Sequence, residues 1–478
     1  MALQIRRIVW SPEADAANLI SELRRQHSLD SEVITPRSRE LTLRAFGEPL
    51  PPARSVERIC REVRDSGFCA VTRFSRVFDN FDLSPENLRV SEEELRQAHR
   101  QARPEFLRTV RHVRDRLLVF QTGLTHADAV WRNDQGEEIR VRYRPIRRVG
   151  VHVPGGSAAY PSTVLMTVCP AMAAGVPEIV VIAPPTRFGS NNPDLLAVCW
   201  ELGIREVYRL GGAHGIAALA YGLRESPGGP TLAAPLLPPV DMIVGPGNLY
   251  VMLAKKYVYG TVGIDSLAGP TELVLLADES ARPDYLAADM LAQAEHAPGA
   301  SLLITWQADL LDAVLRALEE QLETLDRADL TRDSLERFGA LVEVADVEQA
   351  VRLANWLAPE HLHICTRQAE ELAERISNAG AIFLGNSTPV ALGDYVAGPS
   401  HVLPTSGTAR FASGLSANDF LKHTSILRFS ESALAREAEH VMRLAEVENL
   451  PAHAHSVRIR QTLGSTVALA TSEARGLA

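Results

Sequence analysis

Glu360 and His361 are adjacent in the sequence and follow directly after Pro359. The proline restricts the backbone, so it gives the two side chains a stiff support. Histidine titrates near neutral pH, and a carboxylate whose pKa is raised can remove a proton from water. The pair therefore has the residue types for general acid–base chemistry. An ordinary polar entry into a strand gives the same pattern, and these residues alone do not distinguish the two.

Gln293 and His296 are three residues apart in a segment that is otherwise apolar, at Leu286, Met290 and Leu291. In a helix this spacing places both side chains on one face. Two convergent polar groups on an apolar helix suggest a metal or substrate site. The alternative is a histidine that caps the helix end or lies on the surface.

Two glycine turns precede this helix. Gly245-Pro246-Gly247 ends an apolar run and leads through Asn248 into a helical pattern, and Gly269-Pro270 leads through Thr271 into the next apolar run. Such turns expose backbone N–H groups and let a ligand approach the main chain closely. Most sequences of this kind are simple turns, so the motif is weak by itself.

A segment rich in glycine and proline runs from Gly393 to Gly414. A segment of this length without a regular pattern, inside a compact domain, is usually functional. Asp394 contributes a carboxylate and His401 an imidazole, unless both only cap turns.

Strands and helices alternate in the pattern that begins at Val149. The runs Val149–Val153, Glu178–Ala183 and Glu206–Leu210 read as strands, and helical patterns with short connections separate them. This alternation predicts an α/β fold, with a parallel sheet covered by helices on both faces. Ligands of such sheets bind at the carboxyl ends of the strands, where glycine turns fall. The chain contains no GxGxxG motif, so a dinucleotide would bind without the usual fingerprint.

Length and composition narrow the possible classes of protein. The 478 residues are too many for one core and indicate two or more domains. The formal net charge of -10 argues against nucleic acid or an anionic membrane as the main partner. The five cysteines are scattered without a CxxC pair, which predicts buried thiols in a reducing compartment. The N-terminus lacks the features of a signal peptide, and prolines interrupt the most apolar stretch, so we expect a cytoplasmic protein.

Three stretches in the order IVGPGN, GIDSLAGPTE and AADMLAQAEH resemble the histidinol dehydrogenases, and APEHL is similar to the catalytic pair of that family. The resemblance extends over nearly the whole chain, to about His453. It implies a zinc- and NAD-dependent, four-electron oxidation of L-histidinol to L-histidine through L-histidinal, the last steps of histidine biosynthesis. Two hydrides leave and one water is added, so NAD must be presented twice.

The resemblance also implies roles for single residues. Glu360 would activate water, and His361 would act as the base on the alcohol and on the hydrate. Zinc accepts two nitrogen and two oxygen ligands, and the ligands implied are Gln293, His296, Asp394 and His453. Glutamine is a weak ligand, so the metal is expected to exchange, with manganese as the favoured substitute. The substrate contacts implied are the same four residues with Thr271, His361, His401 and Glu448.

The resemblance places NAD at three loops, VPGGSAAYPSTVLM, RLGGAHGIAALAYG and GPGN, with His152, His214 and Asn248 as the expected cofactor contacts. Two of these positions depart from the family pattern, which usually has tyrosine at His152 and glutamine at His214. Thr271 replaces what is often serine and keeps the hydroxyl. The connection Leu223–Pro239 is long and rich in proline, which indicates a surface insertion.

The expected architecture has two parallel-sheet, Rossmann-like domains, one inserted in the other, with helical arms at both ends. The expected parts are an N-terminal arm, 1–42, a main domain, 43–148 with 270–412, an inserted domain on the NAD side, 149–269, and a C-terminal arm, 413–478. By resemblance the arms wrap a second subunit and make a homodimer, whose sites Glu448 and His453 of the neighbour would complete. The family's spacing selects His453 rather than His455 for this role.

Two other functions stay open at this point. A paralogue would keep the metal and the acid–base pair but oxidise a different amino or sulfonated alcohol, and His152 and His214 motivate this alternative. A non-catalytic metal-binding homologue would lack one of the ligands or a member of the pair. None of these residues is missing.

Overall fold

The computed structural model describes residues 3–10, 35–156, 158–224, 235–296 and 298–461. These residues form two compact units. The first contains the described residues up to Thr125 together with Ile146–Phe420, and the second contains His126–Pro145 with the described residues from Leu421 onward. The division into four parts expected from the sequence remains a prediction.

The elements named here in chain order are fourteen strands and sixteen α-helices of the described residues. The strands are β1 (Arg6–Val9), β2 (Ala129–Arg132), β3 (Glu137–Pro145), β4 (Arg148–His152), β5 (Glu178–Ala183), β6 (Glu206–Arg209), β7 (Met242–Val244), β8 (Gly263–Ile264), β9 (Thr271–Ala277), β10 (Gly299–Thr305), β11 (Gly339–Glu343), β12 (His361–Cys365), β13 (Ala381–Leu384) and β14 (Leu421–Phe429). The helices are α1 (Pro36–Phe46), α2 (Pro52–Phe74), α3 (Pro85–Leu88), α4 (Glu92–Gln101), α5 (Pro104–Leu124), α6 (Pro161–Ala173), α7 (Pro193–Glu201), α8 (Gly212–Tyr221), α9 (Leu249–Val258), α10 (Pro283–Ala294), α11 (Ala308–Leu322), α12 (Ala328–Phe338), α13 (Val347–Leu357), α14 (Ala369–Ala373), α15 (Ala391–Tyr395) and α16 (Glu431–Val447).

A five-stranded sheet in the first unit has the order β6-β5-β4-β7-β8, with every pair of neighbours parallel. The three strands predicted from β-branched runs are β4, β5 and β6, each within one residue of the expected bounds. All five residues of β4 are buried, as expected for a strand covered by helices on both faces. The predicted α/β class is confirmed.

A six-stranded parallel sheet, also in the first unit, has the order β1-β11-β10-β9-β12-β13. Alternate side chains of β9 enter two different cores: Leu273 and Leu275 pack on one face of the sheet, and Val274 and Leu276 pack on the other. Helix α10 covers the first of these faces with buried apolar residues that include Leu286 and Met290. This packing places α10 over β9 and β10, with β12 on the other side of β9. The candidate site lies at the start of β9 and β12.

The two terminal segments are not helical throughout. Arg6–Val9 pairs with β11 as the edge strand of the six-stranded sheet, because its buried Ile8 joins the core of that sheet. In the second unit, β14 pairs along nine residues with β3 in an antiparallel sheet of the order β14-β3-β2. The helix predicted from Ser432 is found at Glu431–Val447, where the Ser430 side chain accepts a hydrogen bond from the backbone N–H of Ala433. Residues 451–461 are helical as well.

The connection predicted as a surface insertion begins at a buried residue, Leu223, and has a second buried residue, Leu237, near its end. The backbones of Leu223 and Leu237 pair with each other, at N···O distances of 2.8 and 3.4 Å, and both side chains are fully buried. Residues 225–234 lie outside the described part of the chain. In the described part, no helix is long and apolar enough to cross a lipid bilayer.

Candidate active site

Glu360 and His361 lie where the turn after α13 leads into β12. Helix α13 ends at Leu357, and the next residue, Ala358, adopts the left-handed conformation with φ 46° and ψ 59°. The chain then continues through Pro359 to Glu360, and β12 begins at His361. Thr271 begins the neighbouring strand β9. Glu360 and His361 therefore lie at the amino end of β12, next to Thr271 at the amino end of β9, whereas the glycine turns of the five-stranded sheet follow the carboxyl ends of its strands.

Glu360 is buried and hydrogen-bonded on one oxygen. Its Oε2 atom accepts a hydrogen bond from Thr271 Oγ1 at 2.5 Å and another from the backbone N–H of Glu272 at 2.9 Å. Burial raises the pKa of Glu360, although His361 and these two hydrogen bonds act in the opposite direction. A carboxylate with a raised pKa is a stronger base than an exposed one, so Glu360 is suited to take a proton from water.

His361 is oriented by a backbone carbonyl. Its Nδ1 atom lies 3.2 Å from the carbonyl oxygen of Glu272 and 3.6 Å from Glu360 Oε2. A proton on Nδ1 satisfies that carbonyl, which leaves the lone pair on Nε2. Nε2 lies 3.8 Å from Asp394 Oδ1. The basic nitrogen of His361 therefore faces Asp394, on the side where the other predicted site residues lie.

Gln293 and Thr271 form a chain of hydrogen bonds that ends on Glu360. Gln293 is buried on α10, and its amide Nε2 donates to Thr271 Oγ1 at 2.8 Å. Thr271 has a single hydroxyl proton, which it donates to Glu360. The amide nitrogen of Gln293 is used in this chain, so any bond to a metal would fall to its carbonyl oxygen.

Three histidines surround Asp394. His401 Nδ1 lies 3.1 Å from the backbone carbonyl of Asp394. Burial lowers the pKa of His401 against the attraction of Asp394, and the proximity of His361 and His296 lowers it further. The pKa of His296 is also lowered, chiefly by desolvation of its ring, and Asp394 and His361 act on it as well. The structure thus brings His296, His361, Asp394 and His401 into one electrostatic cluster.

The donor types of the predicted zinc set fit the metal, since neutral imidazole, carboxylate and amide oxygen all bind it. Among the described residues, however, no group of three or more His, Cys, Asp or Glu side chains is arranged to hold a metal ion. Gln293, His296 and Asp394 belong to the first unit, and His453 belongs to the second. The zinc site therefore remains a prediction.

Glu448 and His453 are both exposed in the second unit. Glu448 directly follows α16, and His453 lies in the helical residues 451–461. His455 is exposed too. Their predicted roles with substrate and metal remain predictions.

Two residues that shape the site had no role in the sequence analysis. The backbone of Glu272 contacts both Glu360 and His361, and its side chain accepts a hydrogen bond from Ser406 N at 3.0 Å. The ring of Phe383 lies 6.0 Å from that of His361, measured between centroids. Glu272 lies in the motif AGPTE, but it contacts the pair through its main chain. A main-chain contact cannot be predicted from the type of the residue. Phe383 carries no signal in the sequence.

His152 and His214, the expected NAD contacts, are packed inside the five-stranded sheet domain, 3% and 2% exposed. His152 Nδ1 lies 2.8 Å from the carbonyl of Pro246, and burial lowers the pKa of His152 to about 4, so the ring is neutral. His214 stacks on Phe78 and places Nε2 3.1 Å from Asp79 Oδ2. His152 thus has a hydrogen-bond partner in the protein, whereas His214 Nε2 approaches Asp79 without forming a hydrogen bond. Their contact with NAD remains a prediction.

The turn Gly245-Pro246-Gly247 is fixed by a buried ion pair that sequence analysis missed. Lys255 Nζ donates to the carbonyl of Gly245 at 3.0 Å and pairs with Asp265, whose Oδ2 accepts from Gly245 N at 2.7 Å. A Cβ at Gly245 would lie 2.3 Å from the carbonyl oxygen of His152, so only glycine fits here. Asn248 then caps α9, with Oδ1 accepting from Tyr250 N and Val251 N.

A family model for histidinol dehydrogenase matches residues 51–461, most of the chain. The chain belongs to the histidinol dehydrogenase family.

Curated relatives agree with this assignment over nearly their full lengths. The chain is 51% identical over 447 residues to a histidinol dehydrogenase of Rhodopirellula baltica, which covers 94% of this chain and 95% of that protein. It is 46% identical to a histidinol dehydrogenase of Thermosynechococcus vestitus, over 87% of this chain and 94% of the relative.

A solved structure agrees as well. The crystal structure of histidinol dehydrogenase from Elizabethkingia anophelis superposes with a TM-score of 0.84 at 28% identity, covering 97% of this chain and 100% of that one. These matches support histidinol oxidation, and nothing in them favours a family member that oxidises a different alcohol.

Proposed function

We propose that this chain oxidises L-histidinol to L-histidine through L-histidinal and passes two hydrides to two molecules of NAD. Family membership makes the chain an oxidoreductase that acts on histidinol in histidine biosynthesis. The overall balance is one alcohol, one water and two oxidised NAD giving one carboxylate, two NADH and three protons. The buried pair of Glu360 and His361, oriented through Thr271 and Glu272, is the observation that carries the proposal.

In the first half-reaction, His361 removes the hydroxyl proton of the alcohol while the carbon gives a hydride to NAD. The hydrogen bond between Nδ1 and the Glu272 carbonyl holds the lone pair on Nε2. Asp394 lies near Nε2 and stabilises the imidazolium that forms. The product is the aldehyde L-histidinal, with the proton on His361 and the hydride on NADH.

In the second half-reaction, Glu360 removes a proton from water as the oxygen adds to the aldehyde carbon. Burial raises the pKa of Glu360, so the carboxylate gains basicity for this step. His361 gives its first proton to the former carbonyl oxygen, which completes the hydrate. It then removes a hydroxyl proton of the hydrate as the second hydride passes to a second NAD, and Glu360 releases the proton of the water to solvent. Loss of that hydride converts the hydrate into the carboxylic acid, which ionises to L-histidine.

We assign Gln293, His296, Asp394 and His453 as zinc ligands, with manganese as the expected substitute. When bound, zinc would hold the imidazole and the amine of the substrate. Thr271, His401 and Glu448 complete the proposed substrate contacts. The lowered pKa values of His296 and His401 support this assignment, since only a neutral imidazole has a lone pair to give to a metal or a substrate proton.

His152, His214 and Asn248 are the proposed NAD contacts. His152 and Asn248 flank the turn Gly245-Pro246-Gly247, where β4 and β7 end side by side. His214 lies in the first turn of α8, directly after β6. Their location at the carboxyl ends of a parallel sheet supports the assignment, because ligands of such sheets bind there.

We further propose a homodimer in which Glu448 and His453 of one subunit complete the site of the other. Four large apolar side chains of the second unit support an interface there, since each is at least half exposed: Trp131, Leu427, Leu444 and Val447. A cytoplasmic location is also proposed, and the five free cysteines support it.

The function is tested by measuring NADH formed from L-histidinol by zinc-loaded protein, with His361→Asn as the variant and His112→Asn, on an exposed helix face, as the control. Two NADH per histidinol, histidine as the product, and loss of activity only at position 361 are expected. A folded, zinc-loaded wild type that forms no NADH would overturn the proposal and would call for a screen of other alcohols.

The shared site is tested by mixing subunits. His361→Asn and His453→Asn are each expected to be inactive as homodimers. In a mixed dimer, one site contains both changes and the other contains neither, so random mixing should restore about one quarter of wild-type activity. Mixtures that stay inactive, although mass spectrometry shows mixed dimers, would contradict sites shared between subunits.

A further inference from the structure

Strand β12 carries a second buried histidine on the face that bears His361. Residues two apart in a strand point to the same side, so His361, His363 and Cys365 share the face that packs against α10. His363 is 2% exposed. Neither the sequence analysis nor the proposed mechanism gives this residue a role.

Both ring nitrogens of His363 have partners. Nδ1 lies 2.8 Å from Asp289 Oδ2, Nε2 lies 2.8 Å from the carbonyl of Gly385, and Cys365 Sγ is 3.1 Å from Nε2. Two acceptors on opposite sides of one ring require a proton on each nitrogen, which is the imidazolium form. Burial opposes this charge, but the hydrogen bonds to Asp289, Cys365 and Gly385 outweigh it and raise the pKa of His363 to about 10.

The Asp289–His363 pair joins the two elements that supply the catalytic candidates. Asp289 lies on α10, four residues and so about one turn before Gln293. His363 lies on β12, two residues after His361. Phe383 packs beside both histidines, with centroid distances of 6.0 Å to His361 and 6.4 Å to His363. A shift of α10 along β12 would break this pair and would also part Gln293 from Thr271.

We propose that Asp289 and His363 are positioning residues, whose hydrogen-bonded pair sets the register of α10 against β12 and thereby holds Gln293 and His361 in place for histidinol oxidation. This inference rests on the proposed function. In the competing explanation, the ion pair has a purely structural role. Each partner then only spares the other from being buried as an unpaired charge. The two explanations differ in what happens to turnover in protein that is fully folded.

The experiment compares Asp289→Ala, which removes the acceptor, with Asp289→Asn, which keeps an oxygen in the same place. Asp289→Ala is expected to lower kcat for histidinol about tenfold or more, since a displacement near 1 Å costs that much. KM for NAD should stay within about twofold, because the cofactor loops belong to the other sheet. Asp289→Asn should recover most of kcat, and Asp289→Ala with His363→Ala should be no worse than either single change.

Glu206→Ala is the matched control, because it breaks the ion pair of the partly exposed Glu206 with the buried Arg148 at the amino end of β4, away from the site. It should lower the urea midpoint as Asp289→Ala does and leave kcat of folded protein unchanged. Hydrogen exchange of residues 283–294 and 361–365 gives a readout that needs no activity, and it should speed up in Asp289→Ala but not in Asp289→Asn.

The outcomes separate the two proposals. If kcat of folded Asp289→Ala equals that of the wild type, the positioning role is wrong. If Asp289→Asn is as slow as Asp289→Ala, register is not what the pair controls, and the inference is likewise overturned. A wild type inactive on histidinol defeats the proposed function, while the exchange measurement still decides whether the pair holds α10 against β12.

Discussion

The hydroxyl of Thr271 donates to Glu360 at 2.5 Å while it accepts from the amide of Gln293 at 2.8 Å. One hydroxyl thus connects the proposed general base to a proposed metal ligand. Because threonine has one proton to donate, the direction of both hydrogen bonds is set by Glu360. A change in the charge of Glu360 will therefore alter the hydrogen bond of Gln293 to Thr271. A ligand that moves Gln293 will in turn alter the hydrogen bond of Thr271 to Glu360.

Thr271→Val keeps the shape of the side chain but removes the hydroxyl. We expect kcat for histidinol to fall by roughly ten- to a hundredfold, since one hydrogen bond to a charged group is worth about 1.5–3 kcal/mol. Thr271→Ser retains the hydroxyl and should stay within about threefold of wild type. Steady-state kinetics of the two variants decide the matter, and equal rates for valine and serine would show that the hydroxyl has no part in turnover.

Glu360→Gln should lose activity and gain stability. Glutamine cannot accept the proton from water, so we expect kcat to fall by about 10²–10⁴. Burial raises the pKa of Glu360, so its folded state favours the protonated form and stability falls as the pH rises through the carboxyl range. The uncharged glutamine avoids that loss, and the urea midpoint at neutral pH should rise. A lower midpoint would mean that the ionised carboxylate is well accommodated.

His363 makes a part of the stability dependent on pH. Its pKa is raised from 6.5 to about 10 in the folded protein. The folded state then holds a proton that the unfolded state releases, so the stabilisation is complete below pH about 6.5 and is lost as the pH rises toward 10. The loss should be on the order of a few kcal/mol. The free energy of unfolding in urea is measured against pH for the wild type and for His363→Gln, and the difference between the two isolates this contribution. A difference that does not change with pH would show that His363 is not charged.

Gly393 leaves room for Phe383 beside His361. A Cβ at position 393 would lie 2.7 Å from Cζ of Phe383, so alanine must displace this ring, which packs beside His361. Gly393→Ala should lower stability by about 1–3 kcal/mol and reduce kcat severalfold. Gly123→Ala is the control, since nothing lies within 4 Å of its added methyl and it sits in helix α5. The control should gain about 0.5–1 kcal/mol, and two variants that behave alike would refute the packing argument.

Asn248 combines a cap on α9 with a proposed NAD contact, and substitution can separate them. Asn248→Ser keeps a capping oxygen, so thermal stability should change by no more than about 0.5 kcal/mol. The amide donor is lost, and KM for NAD should rise severalfold while KM for histidinol stays unchanged. An unaltered KM for NAD in this variant would show that Asn248 caps α9 and does not contact NAD through its amide.

The sequence was sufficient where the signal is local. Strand β5 was predicted at its observed bounds, because a buried parallel strand is a continuous apolar run. Glu360 and His361 are neighbours in the chain, so no fold was needed to see them as a pair. Asp394 and His401 needed only the observation that a long irregular segment carries a carboxylate and an imidazole.

The remaining features depend on contacts between distant residues. Asp289 and His363 are 74 positions apart, and only the packing of α10 on β12 brings them together. The strand Arg6–Val9 is too short for periodicity to define, and its partner β11 is more than 300 residues away, with Arg6 opposite Ala340. The burial of His152 and His214 was equally invisible, because histidine occurs on surfaces and in cores alike.

Ala358 adopts a left-handed conformation two residues before Glu360, the first residue of the proposed catalytic pair. Alanine is held there at a cost of about 1–2 kcal/mol, whereas glycine would occupy it freely. A glycine would relieve that strain and also enlarge the number of conformations open to the unfolded chain, so the two effects largely cancel in the free energy of unfolding. The methyl group of Ala358 therefore restricts the backbone between α13 and β12 without changing the free energy of unfolding by much. Pro359 restricts the next residue in the same way. Ala358→Gly would therefore add little thermal stability, and the freer backbone would hold the side chain of Glu360 less precisely.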